Sequence, residues 1–350
     1  MFNKIIYSIV LAIFIFVALG LFLPGNVHVE RRIEIQRPAS TVYTVLNSYR
    51  TFPSWSPWSQ RDPDAVYEYS GPEWGRGAKM SWSGDPRLVG SGWQEITESQ
   101  PYSLVRMHLQ FDQQGTADSY FQIEDTGGGV ALTWGFDADL LEGQGWFGGL
   151  VARYFGLFFD SWIGGDYEAG LVRLKTLLES MPAADFSDLE VEVIEVRPEA
   201  ILYVSIAAGS GSEDLASSLA AAYREIIALM TAHGFEMTAQ PLAITRIDDD
   251  ESYHVEAAIP VRPEGPDRLQ DIGAAGRVRF GRSPAGRALR VIHHGPYDRM
   301  APTYEKLAAW MAAHGMAEGR AFWEQYISDP GVTADADLVT HIYFLLENES

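Results

Sequence analysis

The sequence predicts an α+β chain in three parts: an N-terminal transmembrane helix, an antiparallel sheet domain of the helix-grip type, and a domain made of a duplicated β-α-β-β unit. Three observations indicate this class. Nineteen residues from Ile5 to Leu23 carry no charge, strand-like runs separated by Gly and Pro turns fill the middle of the chain, and a Met-x-Ala-His-Gly pattern at Met230 recurs at Met311. The predicted parts are residues 1–25, 26–184 and 185–350.

The uncharged segment has the length of a membrane span. As a helix it would cover roughly 28 Å, close to the hydrocarbon thickness of a bilayer, so the lipid bilayer is a predicted partner. A cleaved signal peptide is the alternative, with Ala18-x-Gly20 as its cleavage site, but the apolar run continues to Leu23. Lys4 favours an extracytoplasmic body, whereas the three arginines between positions 31 and 37 favour the reverse orientation.

The first soluble region, 26–184, has the pattern of one strand, a short helix, a meander and a closing helix. Residues from Val27 to Gln36 alternate as a one-sided strand, and Pro38 suits the first turn of a helix that runs to Leu46. The closing helix is predicted from about Asp166 to Glu179, with a leucine stripe. Six strands are predicted between the two helices, around Ala65–Tyr69, Ala78–Ser83, Gly92–Glu98, Leu104–Phe111, Ser119–Asp125 and Val130–Asp137.

Several blocks of this region resemble one family. They are Val29-Glu30-Arg31, Pro38-Ala39, Val42-Tyr43, Trp55-Ser56-Pro57-Trp58, Asp62-Pro63, Ile163-Gly164-Gly165-Asp166-Tyr167-Glu168, Gly170-Leu171 and Leu174-Lys175. With them the region resembles the SRPBCC superfamily, of the START-like, polyketide cyclase/dehydrase type. The resemblance implies a cavity for an apolar ligand between the curved sheet and the final helix. It does not imply catalysis, because most domains of this superfamily have no set of catalytic residues in common.

The tryptophans of this region allow more than one interpretation. Eight of the ten in the chain fall here, at positions 55, 58, 74, 82, 93, 134, 146 and 162. They either pack the core or line the implied cavity. For the Gly-broken aromatic stretch from Trp146 to Trp162, a third alternative is contact with the bilayer surface.

The second soluble region follows a linker from Ser180 to Ser187 and contains the repeat. Each copy of the repeated pattern ends an amphipathic helix, with a strand before the helix and two strands after it. The predicted strands are Ala200–Ala207, Leu242–Asp248 and Tyr253–Val261 in the first copy, and Ala288–His294, Trp323–Asp329 and Val339–Leu346 in the second. Duplicated units of this kind usually pack side by side and leave a cleft along their shared axis.

This region is similar to the GyrI-like family, the effector-binding domain also found in AraC- and MerR-type regulators. The similar blocks are His294-Gly295-Pro296-Tyr297, Trp310, Trp323-Glu324-Gln325-Tyr326 and Asp329-Pro330. The resemblance implies that the Glu of Trp-Glu-x-Tyr is the pocket acid. The chain departs from the family at His341, where an acid is usual.

Comparing the two copies singles out Glu324. The offset of 81 aligns it with Ala243, whereas Asp329 aligns with Asp248, which indicates a structural turn role for the shared Asp. An unpaired carboxylate among apolar neighbours is costly without a cation or hydrogen bonds. We therefore expect Glu324 to bind a cationic or amphipathic aromatic ligand, unless it is exposed or paired with an Arg. The ligand-binding candidates around it are Tyr297 and Tyr326 first, then Tyr203, Tyr304 and Trp323.

Composition and absent motifs exclude several functions. Acidic residues outnumber Lys and Arg by 47 to 26, so nucleic acid is not an expected partner, and a chain without cysteine has no disulfide and no thiolate ligand. No His-Glu-x-x-His, P-loop or Gly-x-Ser-x-Gly occurs, and no metal or cofactor is predicted. The segment 209–212 (Gly-Ser-Gly-Ser) before a helix either binds an anion or provides the cap residue Ser212.

The predicted function is therefore a membrane-anchored small-molecule-binding protein, without evidence for catalysis. Two alternatives remain at this stage. One is a hydrolase of reactive small molecules that uses Glu324 as general base. The other is a structural or partner-binding protein whose cavities are closed.

Overall fold

The computed structural model describes residues 2–112, 115–207, 212–247, 253–262 and 276–347. The chain forms two compact units, Met1–Ser187 with Ala312–Gly315, and Asp188–Met311 with Met316–Ser350. Both are mixed helix and antiparallel sheet, which confirms the predicted α+β class. The segment 209–211, Asp248 and the side chain of Ser212 lie outside the described residues, so the interpretations placed on them stay predictions.

The first helix, α1 (Phe2–Phe22), is long and apolar enough to cross a membrane. Over Lys4–Phe22 its mean hydropathy is 2.9 and only 6% of the segment is buried. A signal sequence near an N-terminus has the same length and composition, and α1 fits either description.

The first unit contains a seven-stranded antiparallel sheet in the order β1-β7-β6-β5-β4-β3-β2. Its strands are β1 (Asn26–Ile35), β2 (Val66–Ser70), β3 (Lys79–Ser83), β4 (Ser91–Gln100), β5 (Leu104–Phe111), β6 (Gly115–Asp125) and β7 (Val130–Asp139). Its other helices are α2 (Ala39–Leu46), α3 (Phe52–Trp55), α4 (Pro57–Arg61), α5 (Trp146–Gly156) and α6 (Phe159–Ser180). All six predicted middle strands are present, although β6 begins four residues earlier than predicted.

The sequence did not predict the short helices α3 and α4, and two longer helical features of this unit also differ from the prediction. The closing helix α6 begins at Phe159 rather than near Asp166, and the Gly-broken stretch before it forms α5. Glycines at positions 148, 149 and 156 hide a helical pattern in the sequence, because glycine is a poor helix former. In the folded chain α5 packs against α1, where Leu150 and Tyr154 contact Gly20, and this tertiary contact supports the helix.

The long helix α6 is held against the sheet by an aromatic core. Tyr167 is fully buried and stacks on Trp134 of β7 with 3.8 Å between ring centroids. Trp134 also contacts Trp55 and Phe121 edge-on or tilted, at 5.5 and 5.1 Å. Gly170 allows this approach, because a Cβ there would lie only 2.7 Å from the Trp134 ring.

Gly170→Ala is therefore expected to destabilise the protein by ~1–3 kcal/mol, the usual cost of overpacking a core. Gly165 on the same helix is the matched control, since no atom lies within 4 Å of the position that its Cβ would take. Gly165→Ala should stabilise the protein by ~0.5–1 kcal/mol through helix propensity alone. Urea unfolding of the two variants measures both changes, and equal effects would contradict the close packing at Gly170.

The second unit is built on a curved sheet in the order β13-β9-β12-β11-β15-β16-β14-β8, with β10 paired to β12. Its helices are α7 (Ser212–His233) and α8 (Ala301–His314). Its strands are β8 (Val191–Val196), β9 (Ala200–Ala207), β10 (Glu236–Met237), β11 (Leu242–Ile247), β12 (Tyr253–Arg262), β13 (Arg279–Arg282), β14 (Gly286–His294), β15 (Glu318–Tyr326) and β16 (Val339–Leu346). The duplicated β-α-β-β unit is present, and β8, β10 and β13 are additions that the sequence did not indicate.

Chain connectivity shows that this sheet curls strongly. Strands β8 and β9 lie six strand spacings apart in the sheet order, which is roughly 29 Å in a flat sheet. The chain joins them through residues 197–199 only, and four residue steps reach at most about 14 Å. The concave side therefore encloses a core of its own, while α7 and α8 cover separate clusters on the other face, in which Ile226 and Leu307 are buried.

Candidate functional site

The first unit contains a cavity of about 880 Å³ between its sheet and helices α5 and α6. Aromatic rings form much of the wall, among them Trp58, Trp82, Phe111, Phe136, Phe155 and Trp162. This volume lies within the range of ligand pockets, which are mainly apolar with a few polar groups that orient the ligand.

The cavity offers a small number of polar groups. Gln94 is only 6% exposed and faces the cavity, and its side-chain amide forms no hydrogen bond with another described residue. Asp166 is already engaged, because it accepts a hydrogen bond from Trp58 Nε1 at 3.2 Å and pairs with Arg61. The Tyr67 hydroxyl pairs with Ser59 Oγ at 2.9 Å. Among the buried polar side chains of the wall, Gln94 is thus a group available to a ligand.

Both interpretations of the tryptophans hold, but for different residues. Trp58, Trp82 and Trp162 line the cavity, whereas Trp55 and Trp134 are 2% and 3% exposed and belong to the packed core. Trp146 is 68% exposed and does neither.

The second unit places one carboxylate between two tyrosine hydroxyls. Tyr304 of α8 donates to Glu324 Oε1 at 2.6 Å, and Tyr326 of β15 donates to Oε2 at 2.7 Å. Tyr297, just before α8, packs edge-on against Tyr326 with 5.2 Å between centroids. All four side chains are half-buried, and within the described part of the chain Glu324 has no ion pair. The acid is therefore not free in solvent, and no guanidinium of a described residue neutralises it.

This acid lies on the pseudo-two-fold axis of the duplicated unit. Ala243 and Glu324, which the 81-residue offset relates, are direct cross-strand partners in the β11–β15 pair. The same offset relates Tyr223 of α7 to Tyr304 of α8, so equivalent tyrosines flank Glu324 from both helices. Ala243 is small and has no polar side-chain atom to offer the carboxylate across the strand pair.

Tyr223 is a site residue that sequence reasoning missed. Its hydroxyl donates to the carbonyl oxygen of Leu242 at 2.8 Å, and the charge of Glu324 acts on it. The signal was present in the repeat, since Tyr223 and Tyr304 occupy equivalent positions.

Burial and the Glu324 charge keep the surrounding tyrosines protonated. Burial first, then the nearby carboxylate, raises the pKa of Tyr304, Tyr326 and Tyr223 far above the ordinary tyrosine range. The pKa of Tyr297 is raised by the same two causes. The hydroxyls of Tyr304 and Tyr326 therefore remain hydrogen-bond donors to the carboxylate at any physiological pH.

The raised pKa values predict a loss of stability in alkali. A tyrosine whose folded pKa exceeds its unfolded value of about 10 contributes stability that is complete below pH 10 and is lost as the pH rises further. Each such tyrosine should cost about 1.4 kcal/mol at pH 11. Between pH 9 and pH 11, the free energy of unfolding of the double variant Tyr304→Phe with Tyr326→Phe should therefore fall by about 3 kcal/mol less than that of the parent. Urea unfolding at the two pH values measures this difference. Tyr253→Phe is the control, since Tyr253 is 54% exposed; an unchanged slope in the double variant would refute this prediction.

Two predicted ligand contacts require correction. Trp323 is 4% exposed and stacks on Tyr343 at 4.9 Å, within the core enclosed by the concave side of the sheet. Tyr203 packs against the same core. Side chains of neighbouring strand residues point to opposite faces, so Trp323 cannot share a face with Glu324. The structure thus joins Glu324 with Tyr297, Tyr304 and Tyr326, and separates it from Trp323 and Tyr203.

The other residues singled out in this unit have structural surroundings. Asp329 accepts the backbone N–H of Gly331 at 2.8 Å, which is the turn role expected of it. His341 lies on the concave side near Tyr343, and burial, together with the Arg290 charge, lowers its pKa. Within the described ranges no group of three or more His, Asp or Glu side chains is placed to hold a metal ion.

Comparison with known proteins gives two family matches in the order of the two units. Residues 26–179 match the family described as polyketide cyclase / dehydrase and lipid transport. Residues 190–347 match the GyrI-like small molecule binding domain. No curated protein matches the chain.

Solved structures similar to parts of the chain are distant in sequence. A hydrolase from Listeria innocua is 16% identical, covering 45% of this chain and 92% of that one with a TM-score of 0.33. The EcmrR C-terminal domain is 21% identical, covering 46% and 99% with a TM-score of 0.36. The Aha1 dimer from Colwellia psychrerythraea is 16% identical, covering 44% and 96% with a TM-score of 0.31. On the two family matches, the chain consists of an SRPBCC domain of the polyketide cyclase / dehydrase type followed by a GyrI-like small-molecule-binding domain.

Proposed function

We infer that the protein is a membrane-anchored binder of small molecules with a separate ligand site in each soluble unit. The Glu324 site takes a cationic or amphipathic aromatic ligand. The observation that carries this assignment is the Glu324 carboxylate, whose partners among the described residues are two neutral hydroxyls. A cationic ligand would supply the missing opposite charge, and the rings of Tyr297, Tyr304 and Tyr326 would supply stacking and cation–π contact.

The SRPBCC cavity takes an apolar ligand that carries at least one hydrogen-bonding group. Its aromatic wall favours burial of an apolar body at about 25 cal/mol per Å². The amide of Gln94 is both a donor and an acceptor that forms no hydrogen bond with another described residue, and leaving such a group unpaired is costly. An apolar ligand with a hydroxyl or carbonyl group at one end would pack against the aromatic wall and form a hydrogen bond with the amide.

The helix α1 serves as the anchor in this proposal. It is uncharged after Lys4, and contacts between α1 and α5 give it a place in the folded unit. Lys4 on the short N-terminal side favours an extracytoplasmic location for both soluble units.

Thermal unfolding of the full chain in detergent tests the proposal. N-methylquinolinium is the probe for the Glu324 site and a pyrene-labelled long-chain alcohol is the probe for the cavity. A ligand that binds the native state raises the unfolding temperature by mass action. Each probe is expected to raise it separately, and the absence of both effects would contradict ligand binding and favour a protein with closed cavities.

A further inference from the structure

An unusually apolar surface surrounds α5 and the first turns of α6. Six large apolar side chains there are more than half exposed: Trp146 and Phe147 at 68%, Leu157 at 58%, Phe155 and Phe158 at 54%, and Trp162 at 53%. Trp162 contacts both Phe158 and Phe155, with 5.8 and 6.4 Å between ring centroids. Exposed rings that cluster in this way indicate a contact surface rather than scattered apolar residues. We call these six residues the aromatic face.

Contacts with α1 place this face at the end of the membrane-length helix. Tyr154 of α5 stacks on Phe16 with 4.4 Å between centroids and donates to the Phe16 carbonyl at 2.6 Å. Arg153 donates to the Leu23 carbonyl, which is exposed at the end of the helix. Cleavage of α1 as a signal sequence at Ala18-x-Gly20 would remove Phe16 and leave Tyr154 without this partner. The surroundings of α5 therefore favour a retained α1.

The position along α1 at which α5 contacts it matches the depth at which interfacial helices lie in a bilayer. Phe16 lies six residues before Phe22, or about 9 Å along a helix of 1.5 Å per residue. If the hydrocarbon layer ends at the end of α1, then α5 touches α1 about 9 Å inside that layer. Amphipathic helices at the membrane surface bury their apolar face to about 5–10 Å.

The mouth of the SRPBCC cavity coincides with this face. The exposed residues of the cavity wall include Glu142, Gly143 and Gln144 of the loop before α5, together with Phe155 and Trp162. Phe155 and Trp162 thus belong both to the cavity wall and to the aromatic face. The same edge of the sheet carries the beginning of β1, which follows α1 directly.

We propose that the aromatic face is embedded in the lipid bilayer beside α1, and that the cavity opens onto the membrane and receives its ligand from the lipid phase. The partner is the apolar layer of the bilayer itself. Entry of the ligand from the lipid phase rests on the proposed apolar ligand, whereas the contact between the aromatic face and the bilayer does not.

The charges near this face indicate an apolar contact rather than an electrostatic one. The only charged residue of α5 is Arg153, which is engaged with α1. Asp160 pairs with Arg31 at 2.9 Å, and Glu142 accepts a hydrogen bond from Thr116 at 2.7 Å. With a formal net charge of −21, the chain has no means of attracting anionic lipid in general. Embedding is therefore expected in uncharged phosphatidylcholine.

The absence of cysteine permits a single-site depth measurement. Phe147→Cys carries a bimane label on the aromatic face, and Thr126→Cys carries the label in the turn after β6, at the opposite end of the sheet. The full chain is reconstituted in phosphatidylcholine vesicles with brominated acyl chains. We expect the brominated acyl chains to quench bimane at position 147 at least about threefold more strongly than bimane at position 126, as for a helix at interfacial depth. Equal quenching at the two positions would overturn the membrane contact.

A second variant tests the route of the ligand. Trp146→Ser with Phe147→Ser removes two rings of the aromatic face that do not line the cavity. Transfer of the pyrene-labelled alcohol from vesicles into the protein should slow about tenfold or more, while its affinity in detergent stays unchanged. Transfer at the parent rate would overturn entry from the membrane. Absence of binding in detergent for the parent protein would instead refute the apolar-ligand proposal and leave the depth measurement to decide the membrane contact.

Discussion

Glu324→Gln is expected to weaken binding of N-methylquinolinium by about 10- to 100-fold, which corresponds to roughly 1.4–2.8 kcal/mol. The amide keeps the shape of the carboxylate, and it can still accept from one tyrosine and donate to the other, so the fold should persist. What it removes is the negative charge that accepts from Tyr304 and Tyr326. Calorimetric titration of the full chain in detergent measures the change.

The uncharged compound quinoline is the matched control ligand at pH 8. It can stack on the same rings but offers no positive charge, so its weaker affinity should be the same for the parent and for Glu324→Gln. Equal affinity of N-methylquinolinium for both proteins would remove the basis for a cation site at Glu324. Loss of turnover of a reactive ester with unchanged affinity would instead favour the hydrolase alternative, in which Glu324 acts as a general base.

Filling the SRPBCC cavity is expected to reduce affinity for the pyrene-labelled alcohol by about tenfold or more, because the apolar body loses the space that it would occupy. Ala117 and Ala138 both line the cavity, each one residue beyond the paired Asp118 and Asp137 of β6 and β7. Phe at both positions would place two rings side by side on the sheet wall. Energy transfer from the cavity tryptophans to pyrene measures the affinity.

The small double substitution Ala117→Ser with Ala138→Ser is the control for this variant. It changes the same two positions but leaves the volume of about 880 Å³ nearly unchanged, so probe affinity should stay within about threefold of the parent. The unfolding temperature of the Phe variant should remain close to that of the parent, because the new rings enter open space. Undiminished binding by a folded Phe variant would place the probe outside this cavity.

Local sequence patterns were sufficient to predict those parts of the structure that depend on neighbouring residues along the chain. The strands of the first unit alternate between a buried and an exposed face, as Ala117 and Phe121 of β6 alternate with exposed neighbours, and a period of two is visible without knowledge of the fold. The duplication was equally visible, because both copies keep Met-x-Ala-His-Gly at the end of a helix. Even the error at Trp323 was avoidable, since adjacent positions on a strand cannot share a face.

Contacts between distant segments decided the remainder. Helix α5 forms despite its glycines because it packs on α1, more than a hundred residues away in sequence. Tyr203, a weaker ligand-binding candidate, packs against the concave-side core, because the register that places it there depends on its neighbours β12 and β13. The short strand β8 was not predicted, although residues 189–193 alternate between apolar and acidic side chains, and only the structure shows that its partner is β14.

By itself, the sequence determined the class of each unit, the repeat and the identity of the acid at its centre, since these follow from periodicity and from comparison of two copies in one chain. Only the tertiary structure decided that Tyr223 and Tyr304 lie near that acid on equivalent helices, that its partners among the described residues are the Tyr304 and Tyr326 hydroxyls, and that the cavity wall includes α5, which packs on α1. The physical reason is that side-chain partners and cavities arise from packing between segments far apart in the chain, and no local period records which segments will meet.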